Sequence, residues 1–300
     1  MKRILVTGGT VFVSKYVVKY FESKNYEVYV LNRGTKEQLE NVNLICADRN
    51  KLEDSLQKYS FDAIIDVCGY NKKDIKNILD AGCEFKDYIF ISSSAVYPEK
   101  NIQPFSENQS VGLNSIWGKY GTDKIEAEEY LLSRIPNAYV LRPPYLYGPM
   151  QNLYREAFVF ECALKNRKFY IPNNGKMKLQ FFHVDDLCKV IEKILEKHPK
   201  EHIINVGNTD LVDINTFVEL CYKVIGTPLE KVYVTNHDNQ RDYFSFYNYE
   251  YSLDLSRQSE LLSQQKDLFD GLKESYEWFK DNSDEVVKKD YIKFIKQNLE

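Results

Sequence analysis

The 300-residue chain contains no apolar run near the roughly 18 residues that a membrane-spanning helix needs. After Met1-Lys2-Arg3 the first apolar stretch is only Ile4-Leu5-Val6, too short for the core of a secretory signal. The six cysteines (Cys46, Cys68, Cys83, Cys162, Cys188 and Cys221) form no CxxC pair and no metal-ligand spacing. That removes zinc ribbons and dithiol redox motifs and leaves reduced core thiols, as expected of a cytoplasmic protein with no metal. Charge of one sign is also missing. Forty Lys and Arg against 44 Asp and Glu leave a net charge of −4, with no general pull toward nucleic acid or an anionic membrane. No low-complexity tract appears, nor any repeat at periods of about 20–50 residues, which excludes solenoids. What remains is ordinary for a soluble globular chain: 43% hydrophobic and 28% charged residues. Glycine is sparse at 13, and tyrosine is abundant at 23.

Strand-like and helix-like segments alternate through the first 150 residues. The strand candidates are 2–7, 27–32, 43–47, 61–67, 87–92 and 138–142. They are near-continuous Val, Ile, Leu and Tyr runs, the pattern of strands buried on both faces of a parallel sheet. Between them, Val13, Val17, Tyr20 and Phe21 recur at helical spacing, as do Ile125, Leu131, Leu132 and Ile135. The βαβαβ order predicts right-handed crossovers and a doubly wound α/β fold. After residue 150 a smaller mixed α/β lobe is expected, with a helix over 151–168, a strand over 178–184, a helix over 186–197, a strand over 202–206 and a helix over 213–225. Two amphipathic helices are expected in 266–298. The aromatic run Tyr243–Tyr251 reads as core of the lobe.

The first strand ends in Thr7-Gly8-Gly9-Thr10-Val11-Phe12-Val13-Ser14 and a helix follows. In a dinucleotide fold, glycines at this turn allow a tight bend and close approach of backbone to pyrophosphate, and the helix N-terminus supplies free N–H groups. Of three spaced glycines only Gly8 remains; Val11 and Ser14 hold the other two positions. The second strand ends in Asn32-Arg33. An acidic residue near Asn32 would grip the ribose of NAD, whereas Arg33 favours the 2′-phosphate of NADP. Asp48, after the third strand, has two readings: a contact to the adenine end, or the cap of the next helix. Residues 1–150 are therefore read as a Rossmann-like NAD(P)-binding domain, to which segments near 178–207 return.

The fifth strand runs into Ser92-Ser93-Ser94, a polar cluster at the C-terminal end of a sheet strand, where open α/β sheets bind ligands. A helix then begins near Tyr120-Gly121-Thr122-Asp123-Lys124. Tyr120 and Lys124 are i, i+4 neighbours and share a face. Free tyrosine has a pKa of about 10 and is a poor base at neutral pH. An ammonium and an oxidised nicotinamide beside it favour the phenolate. Tyr120 can then take a proton from a substrate hydroxyl while hydride leaves the same carbon, with Ser93 bonded to the same oxygen. Two other YxxxK pairs, Tyr20/Lys24 and Tyr276/Lys280, follow no serine-tipped strand and read as ordinary helix residues.

These residues resemble the extended short-chain dehydrogenase/reductase family, the NAD(P)-dependent epimerases and dehydratases of nucleotide sugars, in an atypical branch. The shared order runs through Thr7-Gly8-Gly9 with Phe12, Ser93 with Tyr97, and Tyr120-x-x-x-Lys124. It continues through Leu141-Arg142-Pro143-Pro144 with Tyr147-Gly148-Pro149, Phe182-His183-Val184-Asp185-Asp186, Asn205-Val206-Gly207, and Arg241 ahead of Leu253-Asp254. The resemblance implies catalysis by Ser93, Tyr120 and Lys124, with Lys124 also holding the nicotinamide ribose. It implies a cofactor site of Thr7, Gly8, Gly9, Thr10, Val11, Phe12, Val13, Asn32, Arg33, Asp48 and Pro143. It implies substrate contacts from Ser94, Tyr97, Tyr147 and Arg241, the last on a diphosphate. Residues 151–300 become mainly a substrate-binding lobe, and the assembly a homodimer. Dehydratases of this family carry an acidic pair after the serine; here Ser94 and Ala95 stand there, so an epimerase or ketone reductase acting on a nucleotide-sugar-like substrate is the expected function. The competing reading is a non-catalytic dinucleotide sensor or RNA-binding protein on the same fold. The imperfect glycine turn favours it, while the Ser/Tyr/Lys set and the acidic balance oppose it.

Overall fold

Six of the apolar runs form the strands expected of them. The computed structural model covers residues 1–300. Its first 144 residues give β1 (Arg3–Thr7), α1 (Phe12–Ser23), β2 (Glu27–Asn32), β3 (Asn43–Cys46), β4 (Ser60–Asp66), α2 (Lys72–Asp80), β5 (Glu84–Ile91), α3 (Lys119–Arg134) and β6 (Tyr139–Arg142). Next come β7 (Tyr145–Tyr147), α4 (Glu156–Leu164), β8 (Phe169–Pro172), β9 (Lys178–Leu179), β10 (Phe181–His183), α5 (Val184–Lys197) and β11 (Ile203–Asn205). The last are β12 (Val212–Asp213), α6 (Ile214–Ile225), β13 (Lys231–Val234), α7 (Ser256–Ser259), α8 (Leu268–Asn282) and α9 (Tyr291–Asn298). The chain divides into two units. The N-terminal unit comprises 1–144, 184–207 and 253–264; the C-terminal unit comprises 145–183, 208–252 and 265–300. No helix is long and apolar enough to cross a membrane.

The N-terminal unit is a seven-stranded sheet in the order β11-β6-β5-β4-β1-β2-β3. Every pairing in it is parallel. Chain progress reverses between β1 and β4, the switch point at which such sheets open a crevice beyond their carboxyl ends. The continuous runs are explained by burial on both faces: Ile4, Leu5, Val6, Ile64, Ile65, Ile89 and Phe90 have no exposed surface. Helix α1 buries Val17, Val18 and Phe21, and α3 buries Ile125, Ala127 and Leu131.

The C-terminal unit carries three two-stranded pairs: β7 with β10, β9 with β12, and β8 with β13. Its centre is aromatic. Phe181 stacks on Phe217 at 5.1 Å between centroids, and Phe246 packs edge-on against Phe217 and Tyr145. Tyr243, Phe244, Phe246 and Tyr251 are all buried, so the aromatic run is core. Two elements differ from the expected bounds. Helix α4 starts at Glu156 rather than 151, because the Gln151 side chain bonds the Leu146 carbonyl and the Leu153 N–H, a local competitor to helix. The strand over 178–184 is two strands broken at Gln180: β9 runs antiparallel to β12 and β10 parallel to β7.

Candidate active site

The turn after β1 is built around two left-handed glycines. Gly8 (φ +96°) and Gly9 (φ +90°) adopt a backbone that other residues reach only with strain. A Cβ on Gly8 would lie 2.7 Å from Cys68 Sγ, and one on Gly9 would lie 2.7 Å from a Val30 methyl. Phe12 also has a positive φ of 34°, a strained position for a bulky residue. Val11 precedes α1 in extended conformation and offers no side-chain cap, so the first-turn N–H groups of α1 remain for an anion. Ser14 bonds the Val11 carbonyl and packs beneath Gly8. These features fit a dinucleotide pyrophosphate.

Asn32 is engaged with the turn itself. Its Nδ2 donates to the Gly8 carbonyl at 2.7 Å and its Oδ1 accepts from the Gly34 N–H. Arg33, next to it, is exposed. Asp48 caps the following 3₁₀ turn through the Asn50 N–H, which holds its carboxylate below the ordinary range. The sequence reading passed over Arg49. Its guanidinium grips Asp66 at the end of β4 and also donates to the Asp74 carbonyl. Asp66 has no exposed surface and further accepts the hydroxyls of Thr7 (2.7 Å) and Tyr88 (2.6 Å). Burial opposes its ionisation, but Arg49, Tyr88 and Thr7 hold the carboxylate below its usual range. Thr7 Oγ1 in turn accepts the Val67 and Cys68 N–H groups, tying the β1 turn to the loop after β4.

Tyr120 and Lys124 lie on the first turns of α3, with opposite exposures. Tyr120 is 41% exposed, whereas Lys124 is 2% exposed. The Lys124 ammonium donates to the Gly69 carbonyl (2.7 Å) and the Ile91 carbonyl (2.8 Å), and lies 4.7 Å from the centre of the Phe90 ring. It therefore stands between the ends of β4 and β5. Burial lowers its pKa to about 8, with Asp66 and Glu128 opposing. Ser93 precedes a 3₁₀ turn over Ser94–Val96, and its Oγ accepts the Ala95 N–H at 3.2 Å. Gly121, the residue after Tyr120, has no room for a Cβ: one would sit 2.5 Å from the Ala95 carbonyl oxygen. This close approach presses the serine turn against the start of α3, so Ser93, Tyr120 and Lys124 share one end of the sheet. Ser94 is buried, and its N–H donates to the carbonyl of Pro143, also buried.

Tyr97, Tyr147 and Arg241 are the remaining expected substrate contacts. Tyr97 is fully buried in the N-terminal unit; its hydroxyl accepts from Arg142 and donates to Asn205, both at 2.8 Å. Arg142 pairs with buried Glu128, which also accepts from Ser92. The Arg142 and Asn205 motifs thus close one internal polar network. In the C-terminal unit, Tyr147 is buried against His183 and Phe181. Arg241 donates to the Ser245 carbonyl and lies 4.5 Å from the centre of the Tyr247 ring. Sequence reasoning missed its neighbours Arg155, over the Tyr145 ring at 5.0 Å, and Lys289, over Tyr291 at 5.9 Å. Partial burial, Arg241 and Arg155 lower the Lys289 pKa.

A parallel doubly wound sheet, a glycine turn beneath a free helix N-terminus, and a serine, tyrosine and lysine at the neighbouring strand ends define the extended short-chain dehydrogenase/reductase class. Within that class the chain belongs to the NAD dependent epimerase/dehydratase family, whose sequence model matches residues 4–207. It is 27% identical over 320 residues to a putative UDP-glucose 4-epimerase of Methanocaldococcus jannaschii, covering 93% of this chain and 99% of that one. It is 26% identical over 304 residues to the chloroplast stem-loop binding protein of 41 kDa b of Arabidopsis thaliana, covering 92% and 78%. The fold matches the UDP-glucuronic acid 4-epimerase of Bacillus cereus, solved with UDP-glucuronic acid and NAD, at a TM-score of 0.73 and 21% identity over 93% of this chain and 99% of that one.

Proposed function

We propose that the chain is an NAD(P)-dependent epimerase acting by reversible hydride transfer on a nucleotide-sugar-like substrate, with ketone reduction as the alternative outcome of the same chemistry. The observation that carries this reading is the exposed Tyr120 phenol one turn from the buried Lys124 ammonium, at the strand end that holds Ser93. The bound nicotinamide supplies the acceptor and donor of hydride. Tyr120 takes the proton of the sugar hydroxyl and returns it, and Ser93 fixes that oxygen. Lys124 is charged below about pH 8 and stabilises the phenolate from a dry position. Thr7, Gly8, Gly9, Thr10, Val11, Phe12 and Val13 form the pyrophosphate turn. Asn32 braces that turn, so the choice between cofactors falls to exposed Arg33, which favours NADP. In the C-terminal unit, Arg241 with Arg155 and Lys289 supports an anionic substrate. The homodimer belongs to the same proposal, and a monomer by light scattering would remove it.

The test begins with mass spectrometry of the nucleotide that co-purifies, followed by titration with NAD, NADP and UDP-sugars. Tyr120→Phe is expected to abolish UDP-sugar turnover and leave dinucleotide binding intact. Full activity in that variant would refute the mechanism. A salt-dependent shift of stem-loop RNA, with no dinucleotide affinity, would move the assignment to nucleic-acid binding.

A further inference from the structure

Of 23 tyrosines only three expose 40% or more of their surface: Tyr70 (55%), Tyr233 (50%) and Tyr120 (41%). Two of the three border Lys124, Tyr70 through its ring and Tyr120 one helical turn before it. Tyr70 follows Gly69, whose carbonyl receives the Lys124 ammonium, and its ring centre lies 5.4 Å from the same Nζ. Its backbone is fixed on both sides. Gly69 is hemmed in by Ile75, Phe90 and Asp66, each within about 3 Å of where a Cβ would be. The Tyr70 N–H donates to Asp74 Oδ2 at 2.9 Å, and Asn71 and Asp74 close a capping box at the start of α2. The ring is thus held on a rigid support yet not covered by it. Partial burial, the Cys68 thiol and the Tyr120 phenol push the Tyr70 hydroxyl up to about 12. It is a neutral phenol at physiological pH, within electrostatic reach of Tyr120, and not a second base.

An aromatic side chain more than half exposed beside a proton-transferring phenol has a recognisable use. Such a ring offers much apolar contact area at little entropic cost, and the C–H face of a pyranose is flat and apolar. We propose that Tyr70 is a substrate-positioning residue, a stacking wall that holds the sugar ring of the substrate against Tyr120. This rests on the nucleotide-sugar reading above. It adds a contact from the segment Asp66–Tyr70 at the end of β4. Tyr70 acts by contact and orientation; the proton remains with Tyr120.

Hydroxyl-radical footprinting of the full chain, read by mass spectrometry, separates the claims. The states compared are free protein, protein with NAD or NADP alone, and protein with the cofactor plus UDP-glucose or UDP-glucuronic acid. Tyr233, equally exposed and in the C-terminal unit, is the internal control. Oxidation of Tyr70 and Tyr120 is expected to fall several-fold on adding the UDP-sugar to the cofactor complex, with Tyr233 unchanged. Protection of Tyr120 without Tyr70, or full protection of Tyr70 by cofactor alone, overturns the sugar contact and leaves the epimerase reading standing. Protection of neither overturns both. In the same assay system, Tyr70→Ala is expected to raise the half-saturating UDP-sugar concentration about tenfold, with kcat within about twofold and Tyr70→Phe near wild type. A Tyr70→Ala enzyme with unchanged half-saturation refutes the stacking role, because a merely structural residue would not divide KM from kcat.

Discussion

Replacing Glu156 with glutamine isolates a single buried carboxyl group. Glu156 opens α4 inside the C-terminal unit, has 3% of its surface exposed, and closes no hydrogen bond with either oxygen. Burial pushes its pKa up to about 7 from the ordinary 4.5, against the smaller pull of the nearby backbone and Arg155. The folded state therefore holds the proton more tightly than the unfolded chain. Below about pH 4.5 both states are protonated and the group costs nothing. As the pH rises toward 7 the unfolded chain releases the proton first, and stability falls; above 7 the full difference is lost. From 4.5 to about 7, at ~1.36 kcal/mol per pH unit, that difference is about 3 kcal/mol. Glutamine is neutral at every pH and nearly isosteric. Glu156→Gln is expected to match the parent near pH 4.5 and to exceed it at pH 8 by about 3 kcal/mol, or roughly 6–12 °C in Tm. Differential scanning calorimetry of both proteins across pH 4.5–8.5 measures this. A constant separation between the two curves across that range would refute the argument, because it would mean that Glu156 titrates alike in the folded and unfolded chain.

Two further outcomes follow from the cofactor turn. Val11 puts a β-branched side chain where the backbone should approach pyrophosphate, so Val11→Gly is expected to tighten dinucleotide binding by about 1 kcal/mol, roughly fivefold in Kd by calorimetric titration; equal or weaker binding would show that the side chain is no obstacle. Asp66→Asn leaves the Arg49 guanidinium without its buried partner and is expected to cost roughly 3–5 kcal/mol in denaturant unfolding. Because Thr7 loses its anchor as well, dinucleotide affinity should fall with it; a loss of stability under about 1 kcal/mol would refute the clamp.

The fold was legible where one physical cause dominates a segment. Ile4-Leu5-Val6 and Ala63-Ile64-Ile65 are apolar without alternation because helices cover both faces, and that alone points to a parallel sheet. That Tyr120 and Lys124 stand one turn apart on the same helix was legible from their spacing. Contacts that depend on strand order were not. Asn32 is expected at the cofactor site from its place at the end of β2, but its bond to the Gly8 carbonyl follows only from the β1–β2 register. Arg49 and Asp66 sit in separate elements 17 residues apart, and nothing in local pattern joins them. Tyr97 follows a serine cluster, which suggests a pocket; only the neighbouring strands β6 and β11 show that its hydroxyl completes an internal network with Arg142 and Asn205.

The division of the chain bears on how the protein is made. The N-terminal unit needs α5 and β11 from residues 184–207 and a final segment, 253–264, in which Gln258 exchanges two hydrogen bonds with Gly207 and Asp254 donates to the Phe105 carbonyl. Synthesis reaches 184–207 only after the first 39 residues of the C-terminal unit, and 253–264 only after 84 of its 120. The nascent sheet therefore waits with β6 as an open edge, its Tyr139–Arg142 backbone available for pairing with other chains. A fragment ending near residue 150 lacks β11, α5 and 253–264 and is expected to keep that edge open.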